Sequence, residues 1–398
     1  MKVLKKLLDK IEPKFTKGGR WERLFPVYEL TSTFLLSTGE RSKGSPHIRD
    51  SIDTKRFMTV VVIALIPTVL VSMYNVGFQA HKAKGLVVGV LDAFYSGFLT
   101  TLPVILVSYI VGGFWELVFS VVRRHEISEG FLVTGILFAL VLPPTIPLWQ
   151  VAMGVTFGVV IGKEVFGGTG MNIMNPALTG RAFIFFAYPS QISGDSVWVA
   201  VDYAKDKLVD GFSGSTPLSV IANNEIKGKS AEAILLDSGY SFEDMFYGFI
   251  PGSFGETSSL AILIGAAILL VTRIASWRVM LSVVLGGVSM ALLMNMLAGK
   301  GSPAMFSLAP HWHLLMGGFM FGMVFMATDP VTAASTNTGK WIYGFLIGVL
   351  AILIRVLNPA YPEGIMLSIL FMNIFAPLID YYVVKANIRR RLRRARHA

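Results

Sequence analysis

Long apolar runs that contain few charges recur along most of this chain. Seven of them equal or approach the roughly 20 residues that a helix needs to cross the apolar core of a bilayer. They occupy residues 57–74, 86–111, 258–272, 279–298, 313–327, 341–357 and 364–383. The pattern predicts a transmembrane helix at each of these positions.

Three further apolar segments are shorter or interrupted. They cover residues 130–142, 148–166 and 178–189, and Gly, Pro or Asn borders each of them. Broken helices are tolerated inside a membrane where their free backbone groups are buried in protein or line a cavity. The segments therefore predict broken or re-entrant helices around a site. With the seven longer runs, they indicate an all-α polytopic membrane protein of about ten transmembrane helices.

Composition excludes several classes of protein. Of the 398 residues, 53% are hydrophobic and 15% are charged, whereas soluble domains carry roughly 25% charged residues. A soluble enzyme and a disordered chain are both disfavoured. The sequence has no cysteine, which excludes disulfides, a cysteine-held iron–sulfur cluster and a thiol nucleophile. Any redox group must be held in another way.

The charges indicate orientation in the membrane. Residues 1–56 hold 13 Lys and Arg against 7 acids, and residues 381–398 hold 7 Lys and Arg and no acid. Residues 190–257 reverse the balance, with 4 Lys against 10 acids. Because cytoplasmic segments are rich in Lys and Arg, we expect both termini in the cytoplasm and the acidic loop on the outer side. The net charge of +10 is thus interpreted as orientation and membrane-lipid contact, with no nucleic-acid site.

The spans and charges divide the chain, and two parts of it resemble each other. Gly135 to Leu140 with the later Asn175-Pro-Ala parallels Gly318 to Met323 with the later Asn358-Pro-Ala. This order predicts two repeated membrane halves, inverted if each has five spans; independent use of Asn-Pro at helix ends is the alternative. The predicted units are a cytoplasmic extension (1–56), a first membrane half (57–189), an outer loop (190–257), a second half (258–383) and a tail (384–398).

The outer loop contains the segment richest in chemistry, Asp210-Gly-Phe-Ser-Gly-Ser-Thr-Pro-Leu218. Gly211 and Gly214 permit positive φ, and Pro217 biases Thr216 toward an extended backbone. The segment is expected to present the Thr216 hydroxyl, although an ordinary Ser/Gly turn is the alternative. No base accompanies Thr216, so it is no catalytic nucleophile, and no other catalytic residue is assigned.

The pattern Asp-x-x-Ser-Gly-x-Thr resembles the acceptor motif of membrane flavoproteins, to which a flavin transferase attaches FMN through a phosphoester on the final threonine. Across essentially the whole chain, further motifs resemble the family of the B subunit of the sodium-translocating NADH:quinone oxidoreductase. These motifs are Val111-Gly-Gly-Phe-Trp-Glu116, Lys163-Glu-Val-Phe-Gly-Gly-Thr-Gly170, Asn175-Pro-Ala177, Phe185-Phe-Ala-Tyr-Pro189, Ala327-Thr-Asp-Pro330 and Asn358-Pro-Ala-Tyr-Pro-Glu363. Ser215 departs from the family, which usually has Ala there.

The resemblance implies two flavins and a quinone region. Covalent FMN would be carried by Thr216, and noncovalent riboflavin would be bound near Asn172 and Asn175, whose carboxamides both donate and accept hydrogen bonds. Helix capping is the alternative for Asn175. Gly112 and Gly113 match a region implicated in quinone binding, with close helix packing as the alternative.

The resemblance also assigns Glu116 and Asp380 to sodium uptake. Carboxylates are hard oxygen ligands that suit Na⁺, and acids inside a membrane are functional candidates because their burial is costly. The alternatives are an ion pair of Glu116 with Arg123 or Arg124 and a partnership of Asp380 with Lys385. Three other charges near span ends are expected to form structural pairs: Asp329, Arg355 and Glu363.

The implied function is that of a subunit in a six-subunit complex of the bacterial inner membrane, with subunits A, C, D, E and F as partners. Electrons would pass from FMN through riboflavin to ubiquinone, coupled to Na⁺ export, and NADH would bind another subunit. Two alternatives remain open. One is the homologous D subunit of the ion-translocating ferredoxin:NAD⁺ oxidoreductase called Rnf, and the other is a non-redox transporter.

Overall fold

The computed structural model describes most of the chain beyond residue 53. The described residues are 10–16, 19–22, 25, 28, 32, 54–87, 89–123, 127, 130–203, 206–210, 212–223, 229–299, 301–359 and 361–397. They contain helices and turns and no β-strand. Most of the predicted cytoplasmic extension (1–56) lies outside the described residues.

The helices fall into long, short and broken elements. In chain order they are α1 (Thr54–Ala83), α2 (Val90–Arg123), α3 (Gly130–Leu140), α4 (Leu148–Val160), α5 (Pro176–Ala187), α6 (Pro217–Ala222), α7 (Ala231–Asp237), α8 (Phe242–Tyr247), α9 (Ser259–Val271), α10 (Trp277–Leu297), α11 (Pro310–Leu315), α12 (Phe319–Phe321), α13 (Asn337–Leu357) and α14 (Ile365–His397). Single 3₁₀ turns cover Glu164–Phe166, Pro189–Gln191, Asp195–Val197 and Ala304–Ser307.

Six helical segments in the described part are long and apolar enough to cross a membrane. They are Arg56–Ala83, Val90–Arg123, Leu148–Phe166, Trp277–Leu297, Asn337–Leu357 and Ile365–Arg396. Shorter apolar helices are Gly130–Leu140, Pro176–Ala187 and Ser259–Val271. The all-α polytopic membrane fold is therefore confirmed. The total of about ten spans and the repeated halves stay predictions.

Helix α2 is longer than its apolar run indicated. The predicted span stopped at residue 111, but the helix continues to Arg123. Glu116 lies in this extension, where glutamate is compatible with a helix, and its buried carboxylate forms an ion pair with Lys163. Gly112 and Gly113, which follow the predicted span, consequently lie inside α2.

The predicted continuous span 313–327 is wrong, because this segment is broken. Helix α11 ends at Leu315, Gly317 has φ 63°, and α12 continues into a π-helical turn over Gly322–Met326. Such π turns are uncommon and frequently mark functional sites. Proline starts α11, while Gly317 reverses the backbone in a region that other residues rarely adopt.

Helix α3 is also broken, as predicted, ahead of Pro143 and Pro144. Its free carbonyls are satisfied by a loop: the Gly255 N–H donates to the Leu140 carbonyl (2.7 Å) and the Phe254 N–H donates to the Leu142 carbonyl (3.1 Å). These bonds meet the requirement that backbone groups at membrane depth find partners in the protein. The segment before α9 thereby joins the broken end of α3.

Glycines allow neighbouring helices to approach closely. A Cβ on Gly97 of α2 would overlap the Met73 carbonyl of α1, and one on Gly77 would overlap the Ala93 carbonyl. Gly286 and Gly348 play the same part between α10 and α13. Close packing at small residues is a main source of helix association in membranes. At the C-terminus, α14 runs unbroken through the predicted boundary at residue 384 to His397.

We expect Gly97→Ala to destabilise the protein, because even a methyl group there meets the backbone of α1. Overpacking of this kind costs about 1–3 kcal/mol. Gly299→Ala is the matched control, since its added Cβ has no neighbour closer than 4.0 Å. Thermal unfolding in detergent measures both variants. Equal melting temperatures would contradict the close contact between α1 and α2.

Candidate functional site

The segment around Thr216 has the predicted backbone. Gly214 has φ 68°, and Thr216 is extended, with φ −77° and ψ 158°, immediately before Pro217. A Cβ at Gly214 would displace the Tyr203 hydroxyl, and the positive φ strains any residue other than glycine at this position. Gly211 lies outside the described residues.

The hydroxyls of Ser215 and Thr216 have different surroundings. Thr216 is half-buried and lines a cavity, and its hydroxyl accepts a hydrogen bond from the Ser219 N–H (3.2 Å). Ser215 is buried, and its hydroxyl donates to the hydroxyl of Ser213 (3.0 Å). Among these three side chains, Thr216 is the one that lines the cavity.

A tyrosine fixes the backbone beside Thr216. The Tyr240 hydroxyl donates to the Ser215 carbonyl. Burial and the nearby Asp195 carboxylate raise the pKa of Tyr240 to about 12. The hydroxyl therefore stays protonated at neutral pH and remains a donor. Asp195 in turn accepts a hydrogen bond from the Ser219 hydroxyl (2.6 Å), which ties the start of α6 to the loop.

The cavity lined by Thr216, here the loop-side cavity, has a volume of about 220 Å³. Its wall combines aromatic side chains (Phe185, Trp198 and Tyr361) with a charged group of Arg181, Glu256 and Glu363. The Tyr361 hydroxyl and the Arg181 Nε are buried without a hydrogen-bond partner. An apolar wall with a few polar groups is typical of small-molecule sites.

Sequence reasoning missed Arg181 and Glu256. Arg181 is a charge inside an apolar run, a signal that marks functional candidates in membranes, but the run was interpreted only by its length. The Arg181 Nη1 lies 2.7 Å from the Glu363 Oε1 and 3.8 Å from the Glu256 Oε1. Glu363 therefore forms the kind of structural pair that was predicted for it.

A second cavity of about 80 Å³, here the Asn172 cavity, lies at the other end of α5. Asn172 and Asn175 both line it, together with Lys163, Thr169 and Asp329. Asn175 has the geometry of a helix cap, which was the alternative interpretation of this residue. Its Oδ1 caps α5 by accepting hydrogen bonds from the N–H groups of Ala177 (3.0 Å) and Leu178 (3.3 Å). Its NH₂ group is the part left for a ligand.

The Asn172 side chain makes fewer hydrogen bonds to the protein than that of Asn175. Its amide NH₂ donates to the Met174 carbonyl (3.1 Å). The residue follows Gly167, Gly168 and Gly170, all with positive φ, so the connection from α4 turns back sharply to place it beside Asn175. Asp329, which was expected to form a structural pair, accepts hydrogen bonds from the Val331 N–H and the Thr332 hydroxyl.

Glu116 forms a buried ion pair with Lys163, not with Arg123 as in the alternative weighed from the sequence. Lys163 also lies 3.6 Å from Glu164 and donates to the Thr169 hydroxyl (3.0 Å). Arg123 pairs with Glu164 instead (3.4 Å), and Arg124 lies outside the described residues. Helix α2 is thus joined electrostatically to the wall of the Asn172 cavity.

Asp380 does not partner Lys385, which corrects the alternative weighed for it. Its carboxylate accepts from the N–H groups of Ser335 (2.6 Å) and Thr336 (3.0 Å) and from the Thr336 hydroxyl. Lys385 contacts Tyr381. These N–H groups lie immediately before α13, and the N-terminus of a helix favours a nearby negative charge. Asp380 and Glu116 take part in separate sets of contacts.

The two glycines of α2 differ in their surroundings. Gly112 is buried, and an added Cβ would overlap the ring of Phe131, whereas one on Gly113 would contact that ring at 3.6 Å. Gly112 therefore has the role of close packing, which was the alternative to a quinone region. Neither glycine lines the loop-side cavity or the Asn172 cavity. Among the residues that the structure describes, no group of three or more His, Cys, Asp or Glu could hold a metal ion.

Helix α5 connects the two cavities. Asn175 lies at its first turn on the Asn172 cavity, and Phe185 lies near its last turn on the loop-side cavity. Ten residues of helix span on the order of 15 Å. The described residues thus define an integral membrane protein with two separate polar-lined cavities at opposite ends of one short helix.

Comparison with known proteins agrees with this class. The model of the NQR2, RnfD, RnfE family matches residues 41–389, and the chain belongs to that family. Relatives named as the B subunit of Na⁺-translocating NADH-quinone reductase include one from Chromohalobacter salexigens, 52% identical over 98% of this chain and 96% of its own. The relative from Pseudomonas paraeruginosa is 51% identical over 98% of this chain and 99% of its own. The one from Klebsiella pneumoniae is 50% identical over 98% of this chain and 98% of its own.

Lys163→Met is expected to destabilise the protein strongly, because it leaves the buried carboxylates of Glu116 and Glu164 without their shared cation. Removing one partner of a buried pair costs about 3–5 kcal/mol. Lys84→Met is the control, since its pair with Asp206 is about one-third exposed and worth about 1 kcal/mol or less. Unfolding in detergent measures both. Similar losses would contradict a central role for Lys163.

Proposed function

We propose that this chain is the membrane subunit of a Na⁺-translocating NADH:quinone oxidoreductase, in which it passes electrons from covalent FMN on Thr216 through riboflavin to ubiquinone, coupled to Na⁺ export. One observation carries the proposal. Thr216 and Asn172 line two cavities at opposite ends of α5. The name shared by relatives about half identical in sequence supports the same reaction.

The loop-side cavity fits the flavin of Thr216. The Thr216 hydroxyl would hold the phosphate, and the rings of Phe185, Trp198 and Tyr361 would flank a flat aromatic group. The unpartnered Arg181 Nε and Tyr361 hydroxyl are donors for the ring's carbonyl and nitrogen atoms. FMN supplies one- and two-electron chemistry when bound. A phosphoester tether suits an exposed loop in a protein that has no cysteine.

The groups that line the Asn172 cavity suit riboflavin, which lacks a phosphate. Because the cavity volume of about 80 Å³ is below the roughly 300 Å³ or more of a small-molecule site, binding requires its walls to move apart. Its polar groups include the carboxamides of Asn172 and Asn175 and the hydroxyls of Thr169 and Thr328, which can bind the polar ring edge and the ribityl hydroxyls. Leu137 and Phe325 supply an apolar wall. Asn175 and Phe185 lie on the order of 15 Å apart along α5, and this short helix would be a direct route between the flavins.

Quinone and Na⁺ complete the proposal. Gly113 is the better of the two quinone candidates, because Phe131 already covers Gly112. Glu116 and Asp380 are the proposed Na⁺ uptake residues. For Glu116 this requires that Na⁺ compete with the Lys163 ammonium for the carboxylate, and for Asp380 that Na⁺ replace the donors at the start of α13.

Location and partners follow from the same proposal. The chain would lie in the bacterial inner membrane with both termini in the cytoplasm, where the exposed arginines of α14 meet anionic lipid. Its partners would be subunits A, C, D, E and F, one of which binds NADH, together with the flavin transferase. The reaction of the purified complex distinguishes this proposal from the Rnf alternative. Reduction of NAD⁺ by ferredoxin, rather than of quinone by NADH, would favour Rnf.

Thr216→Val is expected to abolish covalent FMN, because valine has a similar shape but no oxygen to form the phosphoester. In-gel flavin fluorescence and peptide mass spectrometry of the complex, made in cells that contain the flavin transferase, measure the attachment. Ser215→Ala is the matched control and should keep FMN, since the Ser215 hydroxyl is bonded to Ser213 rather than lining the cavity. FMN on Ser213 or Ser215 would overturn the assignment. Absence of any flavin in the wild type would favour a non-redox transporter.

Asn172→Leu is expected to lower the content of noncovalent riboflavin, because loss of one buried hydrogen-bonding partner costs about 1–3 kcal/mol, which weakens binding roughly 5- to 150-fold. Acid extraction followed by chromatography measures riboflavin per complex, while covalent FMN stays attached. Asn295→Leu on α10, which does not line the Asn172 cavity, is the control. Full riboflavin content in Asn172→Leu would count against the site.

A further inference from the structure

Lys163 is the one cation among the described residues that line the Asn172 cavity. It begins the motif Lys163 to Gly170 that follows α4, and its side chain is 3% exposed. The other charged residue on this wall is Asp329. A buried charge acts on a neighbouring ligand more strongly than an exposed one, because little water screens it. The Lys163 ammonium is therefore placed to act on whatever the cavity binds.

The Lys163 ammonium has neighbours of two kinds. It forms an ion pair with Glu116 of α2, and its Nζ lies 3.6 Å from the Glu164 Oε1. It also donates a hydrogen bond to the Thr169 hydroxyl (3.0 Å), and Thr169 lines the cavity together with Asn172. An ammonium has three N–H donors. Through Thr169, one of them lies at the cavity wall while the carboxylates hold the others.

The carboxylates near Lys163 are not equivalent. The Arg123 Nη1 lies 3.4 Å from the Glu164 Oε2, so Glu164 divides its charge between two cations. Glu116 is the direct ion-pair partner of Lys163. Asp329 accepts its hydrogen bonds from its own turn. Glu116 therefore decides how much of the Lys163 charge acts on the cavity.

We propose that Lys163 favours the reduced form of the flavin in the Asn172 cavity and that Glu116 limits this effect by offsetting the Lys163 charge. This role rests on the proposed function, in which riboflavin occupies the cavity. An electron that enters the cavity adds negative charge, and an adjacent ammonium stabilises that charge. Glu116 thereby has a second role besides Na⁺ uptake, which is to set the reduction potential of the flavin.

The step moves one electron and breaks no covalent bond in the protein. The electron comes from the flavin on Thr216, which NADH reduces through a partner subunit, and it leaves to the quinone. Lys163 is neither oxidised nor reduced, and its protons stay on Nζ. Its N–H group turns from the Thr169 hydroxyl toward the added charge, and it turns back when the electron leaves.

Redox titration of the purified complex, followed by optical spectra, tests this role. Glu116→Gln leaves Lys163 with Glu164 as its partner but removes the direct offset. The riboflavin equilibrium should shift toward the reduced form by roughly tenfold, which is about 59 mV for one electron. The double variant Glu116→Gln with Lys163→Met removes both partners and leaves no lone charge of this pair. Its riboflavin potential should fall below that of the wild type.

Two controls separate charge from structure. Glu116→Asp keeps the negative charge and should have a riboflavin potential close to that of the wild type. Asp380→Asn changes the other proposed Na⁺ residue, whose carboxylate is bonded to Ser335 and Thr336 and does not line the cavity. It should leave the riboflavin potential unchanged. The FMN potential is an internal reference that should stay the same in every variant.

The outcomes distinguish this role from the proposed function. A bound riboflavin whose potential is unchanged in Glu116→Gln, or shifts in the same direction in the single and double variants, would overturn the role of Lys163 alone. An equal shift of the FMN potential would show a general structural effect and would also overturn it. Absence of riboflavin from the wild-type complex would refute the proposed function and, with it, this role. If the double variant does not assemble, the comparison of Glu116→Gln with Glu116→Asp decides.

Discussion

The buried ion pair between Arg181 and Glu363 joins the two predicted membrane halves at the wall of the loop-side cavity. Arg181 belongs to α5, and Glu363 belongs to the segment that leads into α14. A guanidinium at membrane depth is costly unless charged partners surround it. Its carboxylate partners therefore fix where α5 lies relative to α14, and with it the position of the cavity beside Thr216.

Helix α5 then acts as a spacer between two sites. Asn175 caps its first turn and lines the Asn172 cavity, while Arg181 and Phe185 line the loop-side cavity. The broken helix α3 packs against it, and Gly255 contacts Leu140 at the end of α3 and Phe321 of α12. A fold of unbroken helices would offer less irregular backbone for two such cavities.

Much of the fold could be predicted from the sequence because the bilayer imposes a simple length requirement on apolar runs. The end of α2 at Arg123 could not, since the predicted span stopped at residue 111 and Lys163, the partner of Glu116, lies 47 positions away in the sequence. The break at Gly317 was hidden inside an apolar run because apolar length says nothing about backbone conformation.

Some features of the candidate site could also be predicted from local sequence, whereas others depend on tertiary packing. The extended backbone at Thr216 follows from Pro217, a local rule, and was predicted. The partners of Asp380 and the approach of Glu256 to Arg181 depend on tertiary packing, for which residue spacing carries no signal. Relatives about half identical in sequence support the proposed reaction, whereas the contacts define two cavities at the two ends of α5.

Two flavins held at opposite ends of α5 would define the role of this chain in the complex. A cryo-electron microscopy map of the purified complex would locate both of them. We expect one ring joined to Thr216 and seated against Phe185 and Tyr361, and a second ring against Asn172. Density that places both flavins on one side of α5, or no flavin in either cavity, would contradict this arrangement.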